Sequence, residues 1–180
     1  MLTLIKRCFI LYVFFAMTST TVFCQSKTDN AKAPNFFIRD INGKRVELSQ
    51  LLEKGPVLVN FWALWCIPCL KELPHLNKLA ERYRDQGLTV LTINQDDPSS
   101  ENKVKPFMKG KRYTFQVAID KDKELWRSFK IVALPTLFLI DQNGTISYTH
   151  TGYRPGDEKE LTLEVDKLMQ NRSHSMENQQ

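Results

Sequence analysis

At 180 residues the chain has the size of one domain with a sizeable core, and 42% hydrophobic against 25% charged residues excludes disorder throughout. The formal charge of +5 is mild, and the basic residues are mixed with acids, as in ERYRD and KDKELWRSFK. That is the pattern of a solvated surface and excludes a nucleic-acid groove.

In chain order, MLTLIKR is a short basic segment, CFILYVFFAM a continuous apolar one, and TSTTVFCQSK a polar stretch where a peptidase could cut after Cys24. Residues 1–24 are therefore expected to be a signal peptide, which places the mature protein outside the cytoplasm, in a periplasm or on the outer face of the cytoplasmic membrane. The apolar run is about half of the ~20 residues a spanning helix needs. A retained N-terminal anchor is the alternative, and lipidation at Cys24 ranks below simple cleavage because Phe23 stands where lipoprotein signals favour a small residue. Within this segment Lys6 and Arg7 are the charged residues, so its removal takes the net charge from +5 to +3. Residues 25–33 then read as a linker, 34–170 as the domain, and 171–180 as a polar, disordered tail.

FFIRD and KRVEL flank Asn42-Gly43, a strong hairpin signal. PVLVNFWA is rich in β-branched and aromatic residues without alternation and reads as a central strand buried on both faces. In CLKELPHLNKLAERYRDQG, Leu70, Leu73, Leu76, Leu79, Ala80 and Tyr83 recur at helical spacing and Gly87 supplies a stop. LTVLTIN is a second buried strand, so strand, helix and strand make a right-handed crossover with a parallel pair. A helix bent at Pro106, a short strand TFQVAI and a helix carrying Leu125, Trp126 and Phe129 inward follow. PTLFLID and TISYTH flank Asn143-Gly144 as a second hairpin, and a last amphipathic helix presents Leu161, Val165, Leu168 and Met169.

Of four cysteines, Cys8 and Cys24 belong to the leader, leaving Cys66 and Cys69 as the pair within the domain. The pair could be inert packing, half a metal site or a redox dithiol. A zinc ribbon needs a second pair or suitably spaced histidines, and His75, His150 and His174 repeat no ligand spacing. The expected helix begins at this pair, with Cys66 at its N-terminus and Cys69 one turn in. The positive end of the helix dipole and the unpaired N–H groups favour a thiolate there, and Pro68 suits a first helical turn. Cys66 reads as the attacking thiolate and Cys69 as the resolving thiol.

VLVNFWALWCIPCLKELPHL followed by VALPTLFLID resembles the thioredoxin fold, and specifically the extracytoplasmic TlpA/ResA-like thiol-disulfide oxidoreductases, from about Pro34 to Met169. The resemblance implies an α/β fold with a central mixed sheet flanked by helices and an N-terminal β-hairpin extension. It implies reduction of protein disulfides through the Cys-Ile-Pro-Cys dithiol, with no bound cofactor and no metal. Disulfide-containing envelope proteins would be the partners, apocytochrome c among them, with a membrane electron donor of the thiol-disulfide interchange type and a monomeric protein. Trp65, Leu134 and Pro135 become candidate substrate-binding residues, Pro135 in a cis bond beside the dithiol. Thioredoxin itself carries a buried Asp six positions before the first cysteine, where this chain has Asn60. Asn cannot carry a proton, and Glu72, three residues beyond Cys69, is the candidate to relay one. A peroxidase of the same fold would place a Thr at position 63, which is Ala here. A copper-delivery protein of the related Sco type would have three residues between its cysteines and a distant His, a part His150 could fill only by coincidence.

Overall fold

The computed structural model describes residues 31–177; the expectations for residues 1–24 lie outside them. A two-stranded antiparallel hairpin opens the fold, β1 (Phe37–Arg39) and β2 (Arg45–Glu47), turning at Asp40–Lys44. The Asp40 carboxylate accepts from the backbone N–H groups of Asn42 and Lys44 at 2.8 and 2.9 Å, and Gly43 takes the left-handed conformation the turn requires, φ 84°. A short helix, α1 (Leu48–Leu52), follows. Its five residues are too few to show a period, and the sequence pattern did not reveal it.

The main sheet has five strands in the order β5-β4-β3-β6-β7: β3 (Val57–Trp62), β4 (Thr89–Asn94), β5 (Gln116–Ile119), β6 (Thr136–Ile140) and β7 (Ile146–Thr151). β3, β4 and β5 are parallel, whereas β6 runs antiparallel to β3 and β7 to β6. This is the expected mixed sheet. All six residues of β3 are buried, Asn60 among them, as its lack of alternation required. The long helix α2 (Ile67–Tyr83) crosses between β3 and β4 and ends in a 3-10 turn at Gly87. Helices α3 (Pro98–Lys111, with Pro106 inside it) and α4 (Glu124–Ser128) flank β5, and α5 (Asp157–Glu177) closes the fold.

Side chains alternate between the two faces of the sheet, and each face has its own core. On one, Leu58 and Trp62 meet Cys69, Leu73 and Leu76 of α2 with Leu161, Val165 and Met169 of α5. On the other, Val57, Val59 and Phe61 meet Phe36, Leu48, Phe129 and Phe138.

Two expected boundaries move. Residues 31–33, read as linker, are pinned to the β6–β7 turn: Ala33 N–H donates to Gly144 O, Ile146 N–H to Ala31 O, and Lys32 Nζ to Asn143 O. The tail expected from Asn171 is helical as far as Glu177. The reason is a tertiary anchor that no local pattern records. The Arg172 guanidinium donates to the Lys54 carbonyl at 2.8 Å and to the Gln86 carbonyl, and it lies against Gly55 and Gly87, where a Cβ would come within 3 Å of it.

Candidate active site

β3 ends at Trp62, and the chain turns through Ala63, Leu64 and Trp65 into α2. Cys66 is the N-cap of that helix, in extended conformation, and its Sγ accepts from the Cys69 N–H at 3.3 Å. A sulfur at this position meets an N–H that the helix leaves unpaired, the kind of donor that favours a thiolate over a thiol once such a pair is reduced. Cys66 and Cys69 are joined as a disulfide, with Cα atoms 5.2 Å apart. The pair is asymmetric: Cys66 keeps 5% of its surface exposed and Cys69 none.

The loop before the pair is clamped from β4. Asp96, itself buried, accepts from the Leu64 N–H at 2.8 Å and from Asn94 Nδ2 at 2.7 Å, and its own N–H donates to Asn94 Oδ1. Trp65 and Ile67 project into solvent, 67% and 66% exposed, and Val132 at 85%. The register of β3 with β6, Phe61 opposite Thr136, brings Leu134 and Pro135 to the sheet end that carries the dithiol. The Leu134–Pro135 bond is cis, Pro135 is buried and Leu134 half-buried. The Pro135 carbonyl accepts from the Gly152 N–H at 2.8 Å, tying this segment to the chain beyond β7.

Glu72 lies on the inner face of α2, 2% exposed. Asn60 Nδ2 donates to its Oε2 at 2.8 Å. Burial pushes the Glu72 carboxyl up from 4.5 to about 8, the Asn60 hydrogen bond working against the shift and the charge of Asp157 adding to it. A buried carboxyl titrating near neutrality next to a dithiol can take and give a proton at working pH. Asn60 and Glu72 are thus one unit: the amide that replaces an acid on β3 holds the acid supplied by α2.

A family model described as AhpC/TSA matches residues 30–149. The thiol-disulfide oxidoreductase ResA of Bacillus thuringiensis is 37% identical over 132 residues, 73% of this chain and 75% of its own. ResA of Geobacillus kaustophilus is 33% identical over 170 residues, 91% and 96% of the two chains. The chain belongs to the ResA-like thiol-disulfide oxidoreductases of the AhpC/TSA family. A thiol:disulfide interchange protein of the thioredoxin family from Chlorobium tepidum has the same fold, with a TM-score of 0.67 and 27% identity over 79% of this chain and 99% of that one. Thiol-disulfide exchange is therefore the activity, and among the described residues Cys66 and Cys69 are the cysteines available for it. Position 63, where a peroxidase would carry Thr, is a fully buried alanine packed with Trp62 and Cys66, with no hydroxyl to offer a peroxide.

Two features escaped sequence reasoning. The Asp96 clamp joins residues 32 positions apart, and nothing in NQDD distinguishes that acid from its neighbour. His75 is half-buried with its ring 6.0 Å from that of Tyr153, a partner 78 positions away that no local pattern records.

Proposed function

We propose that this ResA-like oxidoreductase is an exported reductant of protein disulfides that works without a bound cofactor. The observation that carries the reading is the asymmetry of the dithiol: one sulfur at a helix N-cap with a little exposed surface, the other sealed beneath it over an acid. In the reduced protein the Cys66 thiolate attacks a client disulfide. One client sulfur leaves as thiolate and the other is held in a mixed disulfide. Glu72 takes the proton from the Cys69 thiol, and the Cys69 sulfur attacks Cys66, which releases the second client sulfur and closes the Cys66–Cys69 bond. Two electrons have then passed from protein to client.

Exposed Trp65, Ile67 and Val132 offer the client an apolar rim, and the backbone at Leu134, before Pro135, offers an edge on which a client strand can pair. The reductant direction rests on Ile67 and Pro68, which place no charge between the cysteines. The expected potential lies nearer thioredoxin's, about −270 mV, than that of a strong oxidant, about −120 mV. Such a dithiol in an oxidising compartment needs a membrane donor to re-reduce it. The leader-like residues 1–24 support export, and envelope proteins, apocytochrome c among them, are the clients the reading calls for.

Equilibration of the protein with glutathione and dithiothreitol buffers tests the direction. A potential above about −180 mV, that of protein disulfide isomerase, overturns it. Mixed disulfides trapped by Cys69→Ala identify the clients.

A further inference from the structure

Behind Glu72, on the side away from the dithiol, lies a cluster of titratable side chains with no part in the reaction so far. A cavity of about 10 Å³ is enclosed by Glu72 and His75 of α2, Leu137 of β6, His150 of β7, Tyr153 of the following loop, and Asp157 of α5 with its neighbours. It has room for about one water molecule. His150 Nε2 lies 3.1 Å from Asp157 Oδ2, and its Nδ1 lies 3.3 Å from the Tyr148 hydroxyl. Tyr153 donates to Glu158 Oε2 at 3.1 Å, and Asp157 Oδ2 also accepts from the Arg154 N–H at 2.7 Å. Exposure rises along this direction: Glu72 is buried, while His75, His150, Tyr153, Asp157 and Glu158 are half-buried.

A proton taken up by Glu72 has to leave again. The route over the dithiol is closed while a client is bonded to Cys66. The route through Asn60 is closed because Asn60 is fully buried and donates its amide to Glu72. The side that remains leads through the small cavity to an imidazole, the side chain that takes and gives protons near neutral pH, hydrogen-bonded to the Asp157 carboxylate. We propose that the His150–Asp157 pair, reached through the cavity beside Tyr153, is the port by which the proton of Glu72 exchanges with solvent. The inference rests on the reading of Glu72 as the base for Cys69.

In the balanced step, the Cys69 S–H bond breaks and an O–H bond forms on Glu72. Glu72 then loses that proton toward His150, which becomes an imidazolium facing Asp157 and hands the proton to water. No electrons move in this part. Of the groups that face the port, His75 comes from α2, Tyr148 from β7, Tyr153 from the loop and Glu158 from α5. The two tyrosines keep their protons, because burial raises both above the ordinary phenol value, Tyr153 to about 12. Neither competes with the imidazole as acceptor. His150 is a relay residue: it touches neither client nor sulfur.

Stopped-flow kinetics of the reduced full chain with oxidised glutathione, at low buffer concentration, tests the port. Resolution of the mixed disulfide is expected to slow at least threefold in His150→Ala and to recover in proportion to added imidazole, with the reduction potential unchanged. His150→Gln, which keeps a hydrogen-bonding group toward Asp157 but cannot titrate, should be as slow as the alanine variant, and it replaces that variant if the alanine protein does not fold. Parental resolution rates in the folded His150 variant, or slowing that imidazole does not relieve in His150→Ala, overturn the port. Glu72→Gln separates the two layers. If its resolution keeps the parental pH profile, the reading of Glu72 fails and the port with it. If it changes the profile while His150→Gln does not slow resolution, the port alone fails.

Discussion

The two faces of the sheet are built on opposite principles. On the face of α4 and the hairpin, Phe36, Phe61, Phe129 and Phe138 pack as a ring cluster, with centroids 5.1 to 6.1 Å apart. On the face of α2 and α5, alternate residues of the strands bring Asn60 and Thr92 inward, and α2 adds Glu72 and the dithiol. Around those rings the packing is hydrocarbon, where every methylene adds stability, and the buried polar groups on this side, Thr136 and Asp120, are held by hydrogen bonds at its edge. The other side buries groups that would be better solvated in water, a cost that is tolerated because it is offset elsewhere in the molecule. Reactivity sits on the face that the rest of the fold has to hold together.

The sharpest break of this contrast is Cys66→Ser. It should abolish disulfide reduction while leaving the melting temperature of the reduced protein within a few degrees of the parent, as read by insulin or glutathione turnover and thermal denaturation. Residual turnover above a few per cent would move the attacking role elsewhere.

Phe61→Ala acts in the reverse sense. The side chain is fully buried between Phe129 and Phe138, so the variant should lose about 3–5 kcal/mol of unfolding free energy. Where folded, it should keep the parental reduction potential. A potential moved by more than about 30 mV, or ~1.4 kcal/mol for a two-electron couple, would show that the two faces are not independent.

Glu72→Gln sharpens the comparison through pH. In the folded protein the carboxyl holds its proton up to about pH 8, whereas an ordinary carboxyl releases it near 4.5. From about pH 4.5 to 8 the unfolded state is therefore increasingly favoured by ionisation, and parental stability declines across that window. The amide variant lacks this decline. Urea denaturation should find the two proteins diverging as pH rises, with the variant the more stable at pH 8 and above. Parallel curves would mean that Glu72 is ionised in the fold. The same variant should lower the apparent pKa of the thiols in the reduced protein, since a carboxylate no longer opposes the second thiolate; such coupled groups titrate as a set.

The smallest effect is expected from Trp65→Ala. The ring is mostly exposed, so stability should change by about 0.5 kcal/mol or less, and KM for a protein disulfide should rise severalfold while reaction with glutathione stays near the parental rate. Equal loss on both substrates would make Trp65 a residue of the dithiol itself and not of the client-facing rim.

Much of this was legible in the sequence. The central strand declared itself by a run of β-branched and aromatic residues without alternation, α2 by leucines at helical spacing, both hairpins by Asn-Gly, and the dithiol by its place at the helix start. What stayed hidden is long-range and polar. The Asn60–Glu72 bond spans 12 positions and the Arg172 anchor 118, and hydrophobic periodicity carries no record of such partners. His150 was weighed as a distant copper ligand. Its neighbour Asp157 opens another element, and only the meeting of β7 with α5 makes them a pair.

The pinning of Ala31 and Lys32 to the β6–β7 turn also sets a direction. β6 begins beside the dithiol and ends at that turn, with its partner β3 spanning the same length in six residues, about 20 Å. The chain thus enters the fold at the pole opposite its reactive end. The described residues therefore begin at one end of the sheet while the sulfur pair faces out from the other, which leaves the whole pole around the dithiol free to meet large partners.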